Sequence, residues 1–258
     1  SVIDEVKKAV DQGYTEICLL GQNVNSYKDD ARDFTHLMER VSGVNGVKRI
    51  RFTSPHPKDF PERLLHLIAE RPNICKQIHM PVQSGSNRIL DLMNRTYTRE
   101  EYLELIDKTR AIIPDVAIST DVITGFPTET EEDHEATMDL FRKVEYHSAF
   151  TFAYSPRPGT KAYLLPDDVT DDIKSRRLQE IIQLQRSIGL KKIQAEIGRQ
   201  REVLIEEISK KSDQHFAARS SQSLVVIIPR SHYQIGDYLM VRITHAEGHT
   251  LFGEPVNS

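Results

Sequence analysis

The feature that most limits what this chain can become is an alternation. Through residue 154, apolar runs of strand length and helical patterns take turns, five strands in all. Such an order builds a parallel sheet with helices packed outside it. A helix over 2–12 sets Val2, Ile3, Val6, Ala9 and Val10 on one face, and Gly13 is placed to end it. A buried strand is predicted at 17–20, a helix around 35–41 and a strand at 49–53. The next helix opens on Pro61 in its first turn and turns Leu64, Leu65, Leu67 and Ile68 inward. A strand near 77–82 follows, then a helix after Ser86 and a longer one from Thr98, where Thr98 and Glu101 have the form of a capping box. A strand at 116–123, a helix to about residue 144 with a second box at Thr128 and Glu131, and a strand at 148–154 complete the series.

Pro156, Pro158, Gly159 and Pro166 interrupt the pattern, and 171–197 reads as one long polar-faced helix ending at Gly198. Short alternating strands are then expected at 203–208, 215–219, 224–228, 238–245 and 250–255. They fit a small closed β-barrel. The expected division is an α/β domain with its connector helix over 1–193 and an all-β domain over 194–258. At 258 residues and 29.6 kDa there is material for a full core. No apolar run approaches the roughly 20 residues of a membrane span, and residues 1–5 have no leader-like character, so a cytoplasmic protein is expected.

Charge is divided unevenly. Residues 174–258 hold 13 Lys+Arg against 9 Asp+Glu, net +4, which leaves 21 against 29, net −8, for the rest. A basic appendage on an acidic body suits a polyanion partner, although a solvated helix face gives the same count. The two cysteines, Cys18 and Cys75, form no CxxC or Cys/His cluster, so both are expected as buried structural residues. His56, His79, His134 and His147 lack metal spacing, there is no GxSxG elbow or phosphate loop, and the acidic run Glu129, Glu131, Glu132, Asp133 is accounted for by a helix start.

Chemistry is expected at the strand ends instead. Each of the five strands leads into a small polar cluster: 21–27, 53–57, 82–87, 120–127 and 154–159. In a parallel barrel these converge on one mouth. Amides, hydroxyls, a carboxylate and free backbone there suit a polar ligand of nucleoside size better than a nucleophilic mechanism.

The clusters also carry a resemblance. GQNVNSY at 21–27, PVQSGS at 81–86, DVITGFPTETEEDHEAT at 121–137 and FAYSPRPGT at 152–160 resemble the methylthiotransferase family of radical S-adenosylmethionine (SAM) enzymes, over nearly the whole chain. The C-terminal barrel, ending in LFGE at 251–254, is similar to the TRAM domain, a module associated with RNA. The implied fold is α/β, a partial radical SAM barrel of parallel strands followed by a small OB-like TRAM barrel. GQNVNSY is most similar to the group that makes 2-methylthio-N6-dimethylallyladenosine in tRNA. Methylthiolation of threonylcarbamoyladenosine or of a ribosomal-protein aspartate is the alternative within the family, and a non-catalytic RNA-binding module is the alternative outside it.

The resemblance implies SAM, used as methyl donor and as radical source, and two 4Fe–4S clusters. One cluster would be held by a CxxxCxxC loop and the other by three cysteines of an N-terminal domain; neither set is in this sequence, and Cys18 and Cys75 do not match them. The chain therefore reads as a piece lacking the first strand and cluster loop, inactive alone. Implied SAM contacts are Gln22, Asn25, Ser54, Gln83, Ser84, Asp121, Gly125 and Tyr154. Tyr27 and Arg157 are expected to stack on or clamp RNA, and Arg199, Arg201, Lys210, Lys211, Arg219 and Arg230 to meet phosphates. The implied partners are tRNA and an electron donor of flavodoxin or ferredoxin type, with no membrane.

Overall fold

A computed structural model describes residues 1–21, 23–30, 32–53 and 56–256, except the side chain of Asp59. Helix α1 (Val2–Asp11) is capped by Ser1, whose side chain accepts from the amide of Asp4, and chain reversal follows at Gly13, φ +92°. Strand β1 (Glu16–Leu19) leads to a short hairpin, β2 (Lys28–Asp29) against β3 (Arg32–Asp33), which periodicity does not predict. Then come α2 (Phe34–Ser42), β4 (Arg49–Phe52), α3 (Glu62–Glu70), β5 (Gln77–His79), α4 (Asn87–Leu92), α5 (Arg99–Ile112), β6 (Ala117–Thr124), α6 (Glu131–Val144), β7 (Ser148–Ala153) and α7 (Asp171–Gln194).

All strand pairs of this α/β unit outside the hairpin are parallel: β1 with β4, and β5 with β6 with β7. The two groups are stitched at Ile50, whose amide donates to Asn73 O at 2.8 Å and whose carbonyl accepts from Cys75 N at 3.0 Å. The order across the array is thus β1, β4, β5, β6, β7. The helices cover its outer face, and one apolar core runs from Ile3 and Val6 to Tyr146 and Ile188. The Leu and Ile set predicted for α3 is buried as expected.

Three local expectations are corrected. Thr128 is not a helix cap: its φ is +67° and its amide donates to Asp168 Oδ1 at 2.7 Å, while the capping box is made two residues later by Thr130 and Asp133. Pro61 is the N-cap residue, one place before the first turn. Cys18 is exposed, because Glu16 and Cys18 alternate with Ile17 and Leu19, and only one face of β1 is packed on the helices. Cys75 is buried.

The second unit is a closed five-stranded barrel in the order β10-β12-β11-β8-β9, formed by β8 (Gln200–Ile208), β9 (His215–Ser220), β10 (Val225–Pro229), β11 (Tyr238–Glu247) and β12 (Thr250–Pro255). Val203, Ile205, Phe216, Ala218, Val226, Ile228, Val241, Ile243 and Leu251 fill its interior at alternate positions. It docks against the N-terminal ends of the parallel strands. Arg49, at the start of β4 and 2% exposed, donates to Arg219 O at 2.6 Å and Glu202 O at 2.9 Å. Arg51 reaches Ser220 O at 2.8 Å, Lys76 N donates to Ser221 Oγ at 2.8 Å, and Asp115 accepts from Gln222 at 2.8 Å. The C-terminal strand ends are left clear of the small barrel. Among the described residues no helix is long and apolar enough to cross a membrane.

Candidate functional site

At those C-terminal ends lies a cavity of about 390 Å³ lined by Gln83, Asp121, Ile123, Phe152, Ala153, Tyr154, Ser155, Arg157, Thr160 and Ala162. Parallel registry explains the gathering. Asp121 pairs with Phe150 and Ile123 with Phe152 across β6 and β7, so residues two apart on each strand share the inner face. Gln83 is held on the other side of β6: its amide donates to Asp121 O at 2.9 Å and its carbonyl accepts from Ile123 N at 3.0 Å. Gln83 pays for this placement with φ +69°, a left-handed conformation that is uncommon outside glycine. A larger groove of about 520 Å³ between α3 and α5 is spanned by the Lys108–Glu62 ion pair at 2.9 Å; it reaches Pro57 and Lys58 after β4 and shares no lining residue with the first cavity.

The Asp121 carboxylate also faces inward. Its Oδ2 is 3.2 Å from His79 Nε2, and His79 Nδ1 is 3.0 Å from Ser119 Oγ, a polar chain running from the cavity wall into the sheet's inner face. Tyr154 packs its ring edge-on to Phe126 with centroids 5.2 Å apart, and its amide donates to Thr124 O at 2.8 Å. Desolvation raises the Tyr154 phenol above its ordinary range, so it stays a neutral hydroxyl. The cavity therefore pairs an apolar wall, Ile123, Phe152 and Ala153, with a carboxylate, an amide, hydroxyls and one exposed guanidinium.

Of the residues expected to hold SAM, the structure brings Gln83, Asp121 and Tyr154 together, with Arg157 from the substrate set. Gln22 and Ser54 lie outside the described residues. Asn25 is buried at 7% exposure, and its side chain binds the backbone of His56 at both ends, 3.0 and 2.7 Å. Ser84 is fully buried and accepts from Ser86 N at 3.2 Å beside Thr137. Gly125 gives its amide to Glu129 Oε2 at 2.7 Å. These three shape loops around the cavity and do not line it. Tyr27 packs against the main core. Ile123 and Ser155 fall within the expected clusters 120–127 and 154–159 without being singled out, while Phe152, Ala153, Thr160 and Ala162 lie outside them; the two-residue period of β6 and β7 is the signal for Ile123 and Phe152.

On the small barrel, a groove of about 420 Å³ lies over the outer faces of β9 and β10. Its floor is Ala217, Val225, Ile227 and Phe252; its rim is Ser209, Lys210, Lys211 and Ser212 from the β8–β9 turn and Glu247 from the β11–β12 turn. Strands two and three flanked by the loops after strands one and four form the surface on which OB folds take oligonucleotides. His245 stacks on Phe252 at 4.5 Å and 9°, giving a flat aromatic pair beside the floor. Lys210 is 85% exposed. Arg230 lies 5.2 Å from the Phe216 ring centroid and donates to Asp213 O at 2.9 Å. The other three arginines are engaged in ion pairs: Arg201 with Glu196 and Asp115, Arg219 with Glu206 at 2.7 Å, and Arg199 with Asp115 at 3.3 Å.

With this geometry in hand, comparison with known proteins is decisive for family. Residues 1–141 match the model of the radical SAM superfamily, and 194–256 match the TRAM domain. The chain belongs to the radical SAM superfamily. It is 51% identical over 256 residues to the tRNA-2-methylthio-N(6)-dimethylallyladenosine synthase of Chloroherpeton thalassium, covering 98% of this chain and 57% of that protein. It is 48% identical over 261 residues to the protein of the same name from Phocaeicola vulgatus, covering 99% and 57%. The radical SAM chain thus spans a little over half the length of these curated relatives. Among solved structures, coproporphyrinogen III oxidase of Escherichia coli, a radical SAM enzyme, superposes with a TM-score of 0.53 over 85% of this chain and 60% of that one at 17% identity, a likeness of fold. SAM and 4Fe–4S chemistry belong to the superfamily. Among the described residues no group of three or more His, Cys, Asp or Glu could hold a metal ion.

Proposed function

We propose that these residues form the cofactor-binding and RNA-binding parts of a tRNA methylthiotransferase that converts N6-dimethylallyladenosine to its 2-methylthio derivative. The observation that carries the reading is the near-complete coverage of this chain, at 51% identity, by a protein bearing that activity in its name. The cavity at the strand ends supports it. A nucleoside with a zwitterionic tail needs an apolar wall for its base and paired donors and acceptors for the rest once desolvated. Ile123 and Phe152 offer the wall, and Gln83, Asp121, Ser155 and Arg157 the polar groups. Bound there, SAM would supply the methyl group and the source of the radical. Asn25, Ser84 and Gly125 hold the loops in place, and Gln22 and Ser54 remain assigned as further contacts.

The clusters do not fit this chain. Each requires three thiolates, and Cys18 and Cys75 stand apart, one exposed and one buried. We place the cluster ligands outside these 258 residues, so the chain alone should bind no stoichiometric cluster. The TRAM groove and its lysines are assigned to tRNA, in the cytoplasm, with a flavodoxin or ferredoxin type protein as electron donor.

The test is complementation with the full-length protein in cells lacking their own dimethylallyladenosine methylthiotransferase, followed by mass spectrometry of digested tRNA. The 2-methylthio nucleoside is expected. Unmodified dimethylallyladenosine, with the methylthio mass on threonylcarbamoyladenosine or a ribosomal protein, would overturn the substrate.

A further inference from the structure

Among the described residues, the most deeply buried ion pair of the α/β unit lies outside the cavity. Glu129 and Arg177 have side-chain exposures of 2% and 5%, and Arg177 Nη1 donates to Glu129 Oε2 at 2.8 Å and to its carbonyl at 3.0 Å. The same Oε2 accepts the Gly125 amide at 2.7 Å. Arg177 thus grips the loop leaving β6 through one carboxylate. Burial pushes the Glu129 carboxyl up, and the Gly125 amide and Arg177 draw it back, which describes a charge that stays stable only while its partners remain in place.

Arg177 belongs to α7, and the neighbouring turns of α7 repeat the grip. Lys174 lays its stem on Gly125 so closely that an added Cβ would come within 2.4 Å of Lys174 Cγ. Its Nζ reaches Asp167 at 2.7 Å and lies 5.6 Å from the ring centroid of Tyr154, a cavity residue. Glu180 accepts from His134 of α6 at 2.7 Å. Toward its far end α7 meets the small barrel, with Gly189 against His249 and Glu196 just beyond the helix clasping Arg201. One helix therefore touches the loops at the cavity with its first turns and the RNA-binding unit with its last.

We propose that α7 is a strut that sets the cofactor loop, with Arg177 as a positioning residue acting through Glu129 on Gly125 and the segment that follows β6. This rests on the reading of the cavity as a SAM site. None of the gripping groups, Arg177, Lys174 or Glu129, lines the cavity, so loosening them should alter cofactor affinity without removing a contact. Lysine at 177 keeps the charge but not the two-nitrogen fork, whose Nη1 holds Glu129 and whose Nη2 reaches Glu131 Oε2 at 3.2 Å.

The experiment uses full-length protein with Arg177→Met and Arg177→Lys, and two readouts. Hydrogen exchange should show the Gly125 amide exchanging at least tenfold faster in Arg177→Met, with a smaller change in Arg177→Lys and unchanged protection in β4, β5 and the TRAM core. The KM for SAM should rise about tenfold in Arg177→Met, with kcat at saturation within about twofold and partial recovery in Arg177→Lys. Unchanged exchange at Gly125 would overturn the proposal. So would protection lost evenly across the whole barrel, which marks a general stabilising role. A local loss at Gly125 with KM unmoved would keep the strut and refute the cavity as the SAM site.

Discussion

The Asn25 side chain clamps the backbone of His56 from both sides, donating from Nδ2 to the carbonyl at 3.0 Å and accepting the amide on Oδ1 at 2.7 Å. The loops after β1 and β4, 31 residues apart, are thereby tied together at the mouth of the sheet. Asn25→Ala removes both of these hydrogen bonds, each contributing a net of about 0.5–1.5 kcal/mol. For a unit of this size the unfolding midpoint should fall by about 4–8 °C, with lower turnover in the full-length enzyme. Thermal melts of Asn25→Ala and Asn25→Asp check this. The aspartate keeps the acceptor and loses the donor, and a melt identical to wild type in both would refute the clamp.

A second prediction concerns acid. His147, at the joint of β7, α7 and the small barrel, is pushed down from 6.5 to about 4, first by burial and then by the charges of Lys192 and Arg110. Its Nδ1 accepts the Ile118 amide at 3.2 Å, which requires that nitrogen unprotonated. The unfolded chain takes up this proton below its ordinary pKa and the folded chain does not, so the contribution of His147 to stability is lost as pH drops from about 6.5 to about 4 and is constant outside that window. The loss is on the order of 3 kcal/mol at most. His147→Gln, which can still accept the amide, should flatten the pH dependence of the denaturation midpoint over that range. An equal slope in the variant would show that other groups govern it.

The joint between the two units rests on Arg49. Its guanidinium is buried against two carbonyls of β8 and β9 and lies 5.0 Å from the Tyr238 ring centroid. Glu202, its ionic partner at 3.3 Å, is 57% exposed, so the two carbonyl contacts of the 3%-exposed Arg49 side chain carry more of the energetic weight. Leaving a buried acceptor unpaired costs about 1–3 kcal/mol. Arg49→Met should therefore release the small barrel before either core melts. Limited proteolysis near 194–200 and a larger radius of gyration by small-angle scattering would report it; unchanged cleavage would place the joint's strength in Arg201, Glu196 and Asp115 instead.

The elements were legible because their signals are local. Leu64, Leu65, Leu67 and Ile68 declare the inner face of α3, Thr98 and Glu101 cap α5 as read, and the change to a two-residue period marks the small barrel. What escaped depends on partners far along the chain. Thr128 has the composition of a cap, but its amide is taken by Asp168 and its φ is positive, so the helix starts later. Arg201 and Arg219 count as basic residues in a charge tally, yet carboxylates already neutralise them. Ile123 and Phe152 look like ordinary strand interior and line the cavity only because β6 and β7 end there in register. Composition registers charge and polarity; only pairing decides which of them face a ligand.

That distinction yields the last prediction. In the TRAM groove, Lys210 and Lys211 stand on the rim above Val225, Ile227 and Phe252, and both are exposed. Lys210 has an ionic neighbour only at 3.9 Å, Glu207. Arg219 is held by Glu206 through two contacts of 2.7 and 3.0 Å from one nitrogen. Each phosphate neutralised by a free cation releases counterions and contributes about −0.7 to the slope of log affinity against log salt on single-stranded RNA. Replacing Lys210 and Lys211 by glutamine should lower affinity for a tRNA anticodon stem-loop and reduce that slope by about 1.4. The charge-conserving pair Glu206→Gln with Arg219→Gln should leave the slope where it was, since that arginine has no charge to spare. Phe252→Ala should weaken binding at every salt concentration by about 1–3 kcal/mol with the slope unchanged, because stacking on a base releases no ions. Binding titrations at several salt concentrations separate the three. A slope that drops with the Arg219 pair and not with the lysines would move the RNA surface from the groove to the β8–β9 face.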